Sequence, residues 1–462
     1  MAETMKSRFS APEAIEYIKS VQPKYNAAVT IIEEGMQKEG ADGPLKDVPV
    51  VLKDNITTKG VPTTASSNIL KGYIPVYNAT VTEKLLDAGA VIVAKASMDE
   101  LGMGGTNRNA ATGPVHNPYN TECISGGSSG GSAVLSAIRA VPLAIGTDTG
   151  DSIRKPAAYC GTVGVKPTYG RISRYGVIPY ASSLDTVGFF TSNIPDAALA
   201  LGILAGRDDH DLTSSNLPVP DYAADLNPDL KGKKIAVFKT VADKIADENL
   251  KEAFEKLIAD LKAAGAIVSE VEMSEQLMDL IAPVYKTIAN AEATANHSNL
   301  DGIRFGARKD GESVEDVMTA TRTAGFSSYV RARFMIGSYS LFEENQDRMF
   351  CKAQKIRRIL CENYAKFFED NDIVLAPAAV DVAPPIEQSS ELRFGKDKFE
   401  EEHMQLANFT GYPSLTMPLT RSKNGMPLGI NLTAKAFEEQ TLLDAAAGME
   451  ELIGWKGDFD HE

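Results

Sequence analysis

Two glycine-rich loops hold the serines with the clearest chemical potential. One reads Ser125-Gly-Gly-Ser128-Ser-Gly-Gly-Ser132, the other Gly146-Thr-Asp-Thr-Gly-Asp-Ser152-Ile-Arg-Lys-Pro156. A serine becomes a nucleophile when a base takes its proton and nearby N–H groups hold the oxyanion that forms. Glycines just before a serine leave such N–H groups unobstructed, although either loop on its own is more commonly a tight polar turn. No histidine adjoins either loop; the closest, His116 in Pro114-Val-His-Asn-Pro118, reads as structural. Lysine is the alternative base, and it acts only when burial or a cationic neighbour keeps it neutral. Lys53 and Lys95 each follow an apolar strand candidate, and spacing does not choose between them. Ser152-Ile-Arg-Lys155 also fits the S-x-x-K pattern of penicillin-interacting enzymes. The companion S-D-N and K-T-G strings are absent, and Pro156 opposes a long helix carrying the pair.

Other chemistries have little to draw on. There is no GxxxxGK[ST] loop, and no GxGxxG opens a helix after a strand. Four cysteines without a CxxC pair and five scattered histidines argue against a disulfide scaffold or a metal site. The 462 residues carry a net charge of −15 and no Lys/Arg-rich run, so the chain is poorly suited to grip nucleic acid unaided. No apolar run approaches the roughly 18 residues of a membrane helix. The opening MAETMKSRFSAPEAIEY lacks the apolar run of a signal peptide. A cytoplasmic protein with no membrane contact and no metal or cofactor of its own is expected.

The elements that must position these loops alternate between strand and helix. Pro49–Leu52 and Val91–Ala94 read as buried strands, with a helix from Thr80 to a stop at Gly89. A helix at Ser132–Ala140 and a strand at Val141–Ile145 join the two serine loops. Lys234–Phe238, an amphipathic helix through Leu250 and Leu261, and a strand at 266–273 form a further β-α-β unit. Residues 276–370 are mostly helical in pattern, with a loop near 305–313. Asp372–Leu375 reads as a buried strand, Ser414–Met417 with Leu428–Leu432 as a hairpin turning at Asn424-Gly425, and 438–452 as a closing helix. With 43% hydrophobic residues and no long linker or repeat, one compact α/β unit is expected.

Taken in series, Val50-Val-Leu-Lys53-Asp-Asn55 and the two serine loops resemble the amidase signature family. Ala96-Ser-Met-Asp-Glu-Leu-Gly-Met103, Lys166-Pro-Thr-Tyr-Gly-Arg-Ile-Ser-Arg-Tyr-Gly176, Ala181-Ser-Ser-Leu-Asp185, Asp301-Gly-Ile-Arg-Phe-Gly306 and Ala407-Asn-Phe-Thr-Gly-Tyr-Pro413 extend the likeness to the A-subunit branch of tRNA-dependent amidotransferases. The resemblance implies a single domain over 1–462: a large mixed β-sheet covered by helices on both faces, a catalytic core at about 45–205 and a helical layer at about 276–370. It implies that Ser152 attacks the carboxamide of glutamine, that Ser128, after a cis peptide bond at Gly127, relays its proton, and that Lys53 is the base. Backbone N–H groups of Thr149, Gly150, Asp151 and Ser152 would form the oxyanion hole. Arg333, with Tyr285 nearby, would hold the substrate carboxylate bidentately, and Glu401 its amino group. The resemblance also implies a heterotrimer with the B and C subunits of the amidotransferase. The ammonia released would pass to the B-subunit, which uses ATP and Mg²⁺ to amidate misacylated Glu-tRNA(Gln) or Asp-tRNA(Asn). The segment before Lys53 is shorter than is usual in this branch. A stand-alone amidase acting on another small carboxamide, or a scaffold subunit silenced at its site, are the alternatives.

One departure from the family pattern bears on the chemistry. The usual Gly-Gly-Ser-Ile-Arg-Gln is here Gly150-Asp-Ser-Ile-Arg-Lys155. A carboxylate about 6 Å from a developing oxyanion, at an effective dielectric near 20, opposes it by about 3 kcal/mol. Asp151 and Lys155 stand four apart with the acid first, the favourable order in a helical turn, so an ion pair between them is expected to neutralise that charge.

Overall fold

The computed structural model describes residues 5–389 and 399–454. Its centre is an eleven-stranded sheet. In chain order the strands are β1 (Ala28–Met36), β2 (Pro49–Lys53), β3 (Val91–Ala96), β4 (Leu143–Asp148), β5 (Val163–Lys166), β6 (Thr186–Thr191), β7 (Lys234–Phe238), β8 (Ile267–Val271), β9 (Ile373–Pro377), β10 (Ser414–Arg421) and β11 (Pro427–Thr433). Their order across the sheet is β1-β3-β2-β4-β6-β5-β10-β11-β9-β7-β8. Strands β3, β2 and β4 run parallel, as do β9, β7 and β8, whereas β1, β6, β5, β10 and β11 pair antiparallel. The sheet is therefore mixed, as the resemblance implied.

Both faces of the sheet are apolar, because alternate residues of a strand point to opposite sides. Val50 and Leu52 join one core cluster with residues of the helices Ile194–Leu204, Glu248–Ala263 and Glu439–Ile453. Val51 faces the other side, among residues of the helices Ala11–Tyr25 and Gly130–Ala137. Farther along that face, Ala236, Phe238 and Val374 pack against the helices Ile281–Asn296, Ser328–Leu341 and Lys352–Lys366. Burying both sheet faces is what makes the parallel strands read as continuous hydrophobic runs. No helix among the described residues is long and apolar enough to cross a membrane.

Strands β1, β5 and β6 go beyond the sequence reading. β1 is an antiparallel edge strand with register shifts and two exposed glutamates, and β5 and β6 are short and interrupted by Gly164 and Gly188. Such segments hide the strand period and gain their pairing from neighbours distant in sequence. The remaining strands and the helix between the serine loops lie within a few residues of where their patterns place them.

This topology converges the chemistry. β2 and β4 are parallel neighbours, so Lys53 and Asp148 both stand at carboxyl ends of strands. The helix Gly130–Ala137 leads back into β4, which puts its amino end, and with it Ser128, beside the carboxyl end of that strand.

Candidate active site

Three lysines at strand positions, Lys53, Lys95 and Lys166, are fully buried, and of these Lys53 touches the serines. Its Nζ lies 2.7 Å from Ser128 Oγ, 2.8 Å from Ser129 Oγ and 2.9 Å from Thr147 Oγ1. Lys95 Nζ instead donates to the Ile56 carbonyl at 2.6 Å and Thr63 Oγ1 at 2.8 Å, with Asp54 at 3.8 Å. Lys166 Nζ donates to the Pro167 carbonyl at 2.9 Å. Strand register explains the division: Lys53 pairs with Ala96 and Leu52 with Lys95, so the two lysine side chains leave opposite faces of adjacent strands.

Burial pushes the Lys53 ammonium from 10.5 down to about 7, and the more distant carboxylates of Asp99, Asp148 and Asp185 offset only part of that effect. An amine at that value is substantially neutral near pH 7 and can accept a proton through its hydrogen bond to Ser128.

The Gly127–Ser128 peptide bond is cis. The turn around it is closed by Gly127 N–H to the Gly105 carbonyl at 2.8 Å and by Asp99 N–H to the Ser128 carbonyl at 3.2 Å. A Cβ on Gly127 would fall 2.0 Å from Asp99 Oδ2, so no other residue fits there without moving that carboxylate. Ser129 N–H donates to the Ser152 carbonyl at 3.2 Å, which brings the second serine loop against the first. Ser152 is itself buried.

The loop before Ser152 is held by a buried ion pair. Arg154 binds Asp148 through Nε at 3.1 Å and Nη2 at 3.0 Å, and its Nη2 also donates to the Gly150 carbonyl at 2.7 Å. Asp148 further accepts from Ile153 N–H and Asn408 Nδ2, both at 2.9 Å. Thr149 Oγ1 donates to Asp185 at 2.7 Å. With the loop held this way, the backbone N–H groups of Thr149, Gly150, Asp151 and Ser152 donate to no acceptor among the described residues. Four consecutive unspent donors in a largely buried loop can receive an oxyanion.

Tyr285 and Glu401 lie beside this loop, and Arg333 connects to it through Tyr180 and Tyr285. The Tyr285 ring covers Gly150, where a Cβ would fall 2.9 Å from Cζ. Arg333 Nη1 donates to Tyr180 Oη at 2.8 Å, its Nη2 to Tyr329 Oη, and Tyr180 is hydrogen-bonded to Tyr285. Tyr180 and Asp185 join this arrangement through Arg333, Tyr285 and Thr149; both fall in or beside the string Ala181–Asp185 that carries part of the resemblance. A cavity of about 240 Å³, bounded by Asn55, Thr147, Thr149, Arg174, Tyr180 and Asp185, lies beside Thr147, a hydrogen-bond partner of Lys53, although neither Ser128 nor Ser152 lines it. Among the described residues no group of three His, Cys, Asp or Glu side chains could hold a metal ion.

The expected ion pair between Asp151 and Lys155 does not form. A helical turn does begin there, with Lys155 N–H on the Asp151 carbonyl at 2.8 Å, but the Lys155 ammonium reaches Glu401 Oε2 at 2.8 Å. It also lies over the Tyr159 ring, 5.8 Å from its centroid. Glu401 comes from the distant helix Phe399–Glu402, a neighbour that spacing along one helix cannot reveal. Burial raises the Glu401 carboxyl, but Lys155 and a Val380 N–H outweigh it and hold it below its ordinary 4.5. Asp151 is pushed up to about 6, chiefly by burial and against the nearby Lys155 charge.

A sequence model of the family described as Amidase matches residues 12–443, a span that contains every strand of the sheet. The A-subunit of glutamyl-tRNA(Gln) amidotransferase from Lactobacillus johnsonii is 40% identical over 445 residues, covering 95% of this chain and 92% of that one. Its counterpart from Geobacter metallireducens is 40% identical over 456 residues, with the same two coverages. Among solved structures, the A-subunit of glutamyl-tRNA(Gln) amidotransferase from Thermotoga maritima superposes with a TM-score of 0.79 at 31% identity, covering 97% of this chain and 96% of its own. The peptide amidase of Stenotrophomonas maltophilia does so with a TM-score of 0.80 at 28% identity, covering 98% and 96%. By sequence over nearly its whole length and by fold, the chain belongs to the amidase family.

Proposed function

We propose that this chain is the glutaminase subunit of a tRNA-dependent amidotransferase. It would hydrolyse glutamine to glutamate and ammonia for amidation of Glu-tRNA(Gln), Asp-tRNA(Asn) or both. The observation that carries the chemistry is a sequestered lysine, 2.7 Å from Ser128 Oγ, beside a loop of unspent N–H donors that ends in Ser152. Ser152 Oγ attacks the carboxamide carbon while its proton passes to Ser128 and from Ser128 to neutral Lys53. The N–H groups of residues 149–152 hold the oxyanion. Collapse of the tetrahedral adduct returns the proton to the leaving nitrogen and releases ammonia. Water, deprotonated through the same relay, then cleaves the Ser152 ester to give glutamate. Arg333, steadied by the Tyr180 and Tyr329 hydroxyls, suits the α-carboxylate of the substrate.

Identity of 40% to A-subunits of glutamyl-tRNA(Gln) amidotransferases supports the amidotransferase assignment over a stand-alone amidase. In this reading ATP and Mg²⁺ serve the B-subunit, the C-subunit completes the complex, and misacylated tRNA is held mainly by the B-subunit in the cytoplasm. The test is to trap labelled glutamine as an ester on Ser152 and to find its loss in Ser152→Ala. Co-purification with two partner chains and ATP-dependent amidation of Glu-tRNA separate this role from that of a free amidase. A protein that forms no ester while Ser152 is intact is a silent scaffold instead.

A further inference from the structure

Asp151 is the charge of this site that the proposed mechanism leaves unused. Its carboxylate receives no hydrogen bond and meets no cation at ion-pair distance among the described residues. Yet it is partly exposed, directly before the proposed nucleophile Ser152, where the family resemblance implies glycine. The charged and titratable groups facing it are Lys155 and Arg154 from the following helix, Asp148 at the end of β4, Glu401 from the helix Phe399–Glu402, and Tyr285 from the helix Ile281–Asn296. These cancel in pairs. Lys155 and Glu401 are joined at 2.8 Å, and Asp148 and Arg154 at 3.0 Å with a second bond at 3.1 Å. One negative charge is left over, and it is that of Asp151. Glu401 cannot take a ligand cation as readily, because its carboxylate already accepts from Lys155 and from Val380 N–H.

We propose that Asp151 is a specificity-determining residue whose carboxylate takes the α-ammonium group of an α-amino-acid amide, with Arg333 on the α-carboxylate. This deepens the glutaminase reading and rests on it. The consequence reaches beyond affinity. A bare Asp151 repels the oxyanion forming beside it, and a substrate ammonium placed on it cancels that charge as the oxyanion develops. The substrate amine then raises kcat as well as lowering KM. An amide without the amine leaves the repulsion in place.

The test compares glutamine with 4-carbamoylbutanoate, which is glutamine lacking its amine, using the full chain together with its co-purifying partner chains. For Asp151→Asn, kcat/KM for glutamine is expected to fall about 10- to 100-fold, the size of a lost charged hydrogen bond. The value for 4-carbamoylbutanoate should rise, because the repulsion is removed, and Asp151→Gly should raise it as well. The ratio of the two amides on one preparation is independent of the fraction folded. An equal fall for both substrates in Asp151→Asn, or an unchanged ratio, overturns the role of Asp151 while leaving the glutaminase reading intact. Glutamine hydrolysis that survives Ser152→Ala overturns that reading, and this inference with it.

Discussion

Replacing Lys53 with methionine exposes the energetic cost of burying its amine. The amine is fully buried and its pKa falls from 10.5 to about 7 on folding. Between those values the unfolded chain binds more protons than the folded one, so the parent's stability rises with pH through that window. The cost of the buried amine is about 5 kcal/mol below pH 7, about 2 kcal/mol near pH 9, and nothing once pH exceeds the unfolded value. Against this, methionine leaves the hydroxyls of Ser128, Ser129 and Thr147 without their donor, at about 1 kcal/mol each. Lys53→Met is therefore expected to be about 1 kcal/mol more stable than the parent near pH 7 and about 1 kcal/mol less stable near pH 9, while losing glutaminase activity. Urea unfolding of both proteins at the two pH values measures the difference. The parent's kcat/KM for glutamine should rise with pH through about 7 as the amine becomes neutral. A stability difference that is flat with pH, or that moves in favour of the variant as pH rises, refutes a neutral buried base.

Two further substitutions probe the surrounding shell. Gly150→Ala places a methyl 2.9 Å from the Tyr285 ring and should displace it, lowering kcat/KM for glutamine about tenfold or more with little change in thermal midpoint; steady-state kinetics with a melting curve check both. Lys155→Gln strands the Glu401 carboxylate and should cost about 1–3 kcal/mol, discounted because Glu401 is about a third exposed. Lys155 holds that carboxyl below its ordinary 4.5, so the loss is full above about pH 5 and fades as pH falls below it, which unfolding at pH 7 and pH 4 distinguishes.

Much of the site was legible from one dimension. Glycine beside serine in two loops, joined by one helix and one strand, marks a backbone that must bend and leave N–H groups open, and both loops meet as that spacing suggests. The β-α-β unit from Lys234 and the closing hairpin show their period plainly, because each buries a regular apolar face. Strands β5 and β6 stayed hidden, since Gly164 and Gly188 interrupt them and their partners lie elsewhere in the chain. The contacts of Tyr180 and Asp185 were equally out of reach, as their partners Arg333 and Thr149 lie far away in sequence.

Local possibilities, then, were written in the chain: serines beside glycine-rich backbone, lysines after apolar strands, and segments that must be buried. The assignment of partners was not. Lys53 and Lys95 look alike along the chain, but a register offset of one residue between parallel strands sends one to the serines and the other to Asp54. Lys155 has Asp151 one helical turn before it, but it binds Glu401, which folding brings from the far end of the chain to 2.8 Å. Both outcomes have one physical cause. A buried charge takes the partner that reaches it in three dimensions, and sequence separation does not enter that distance.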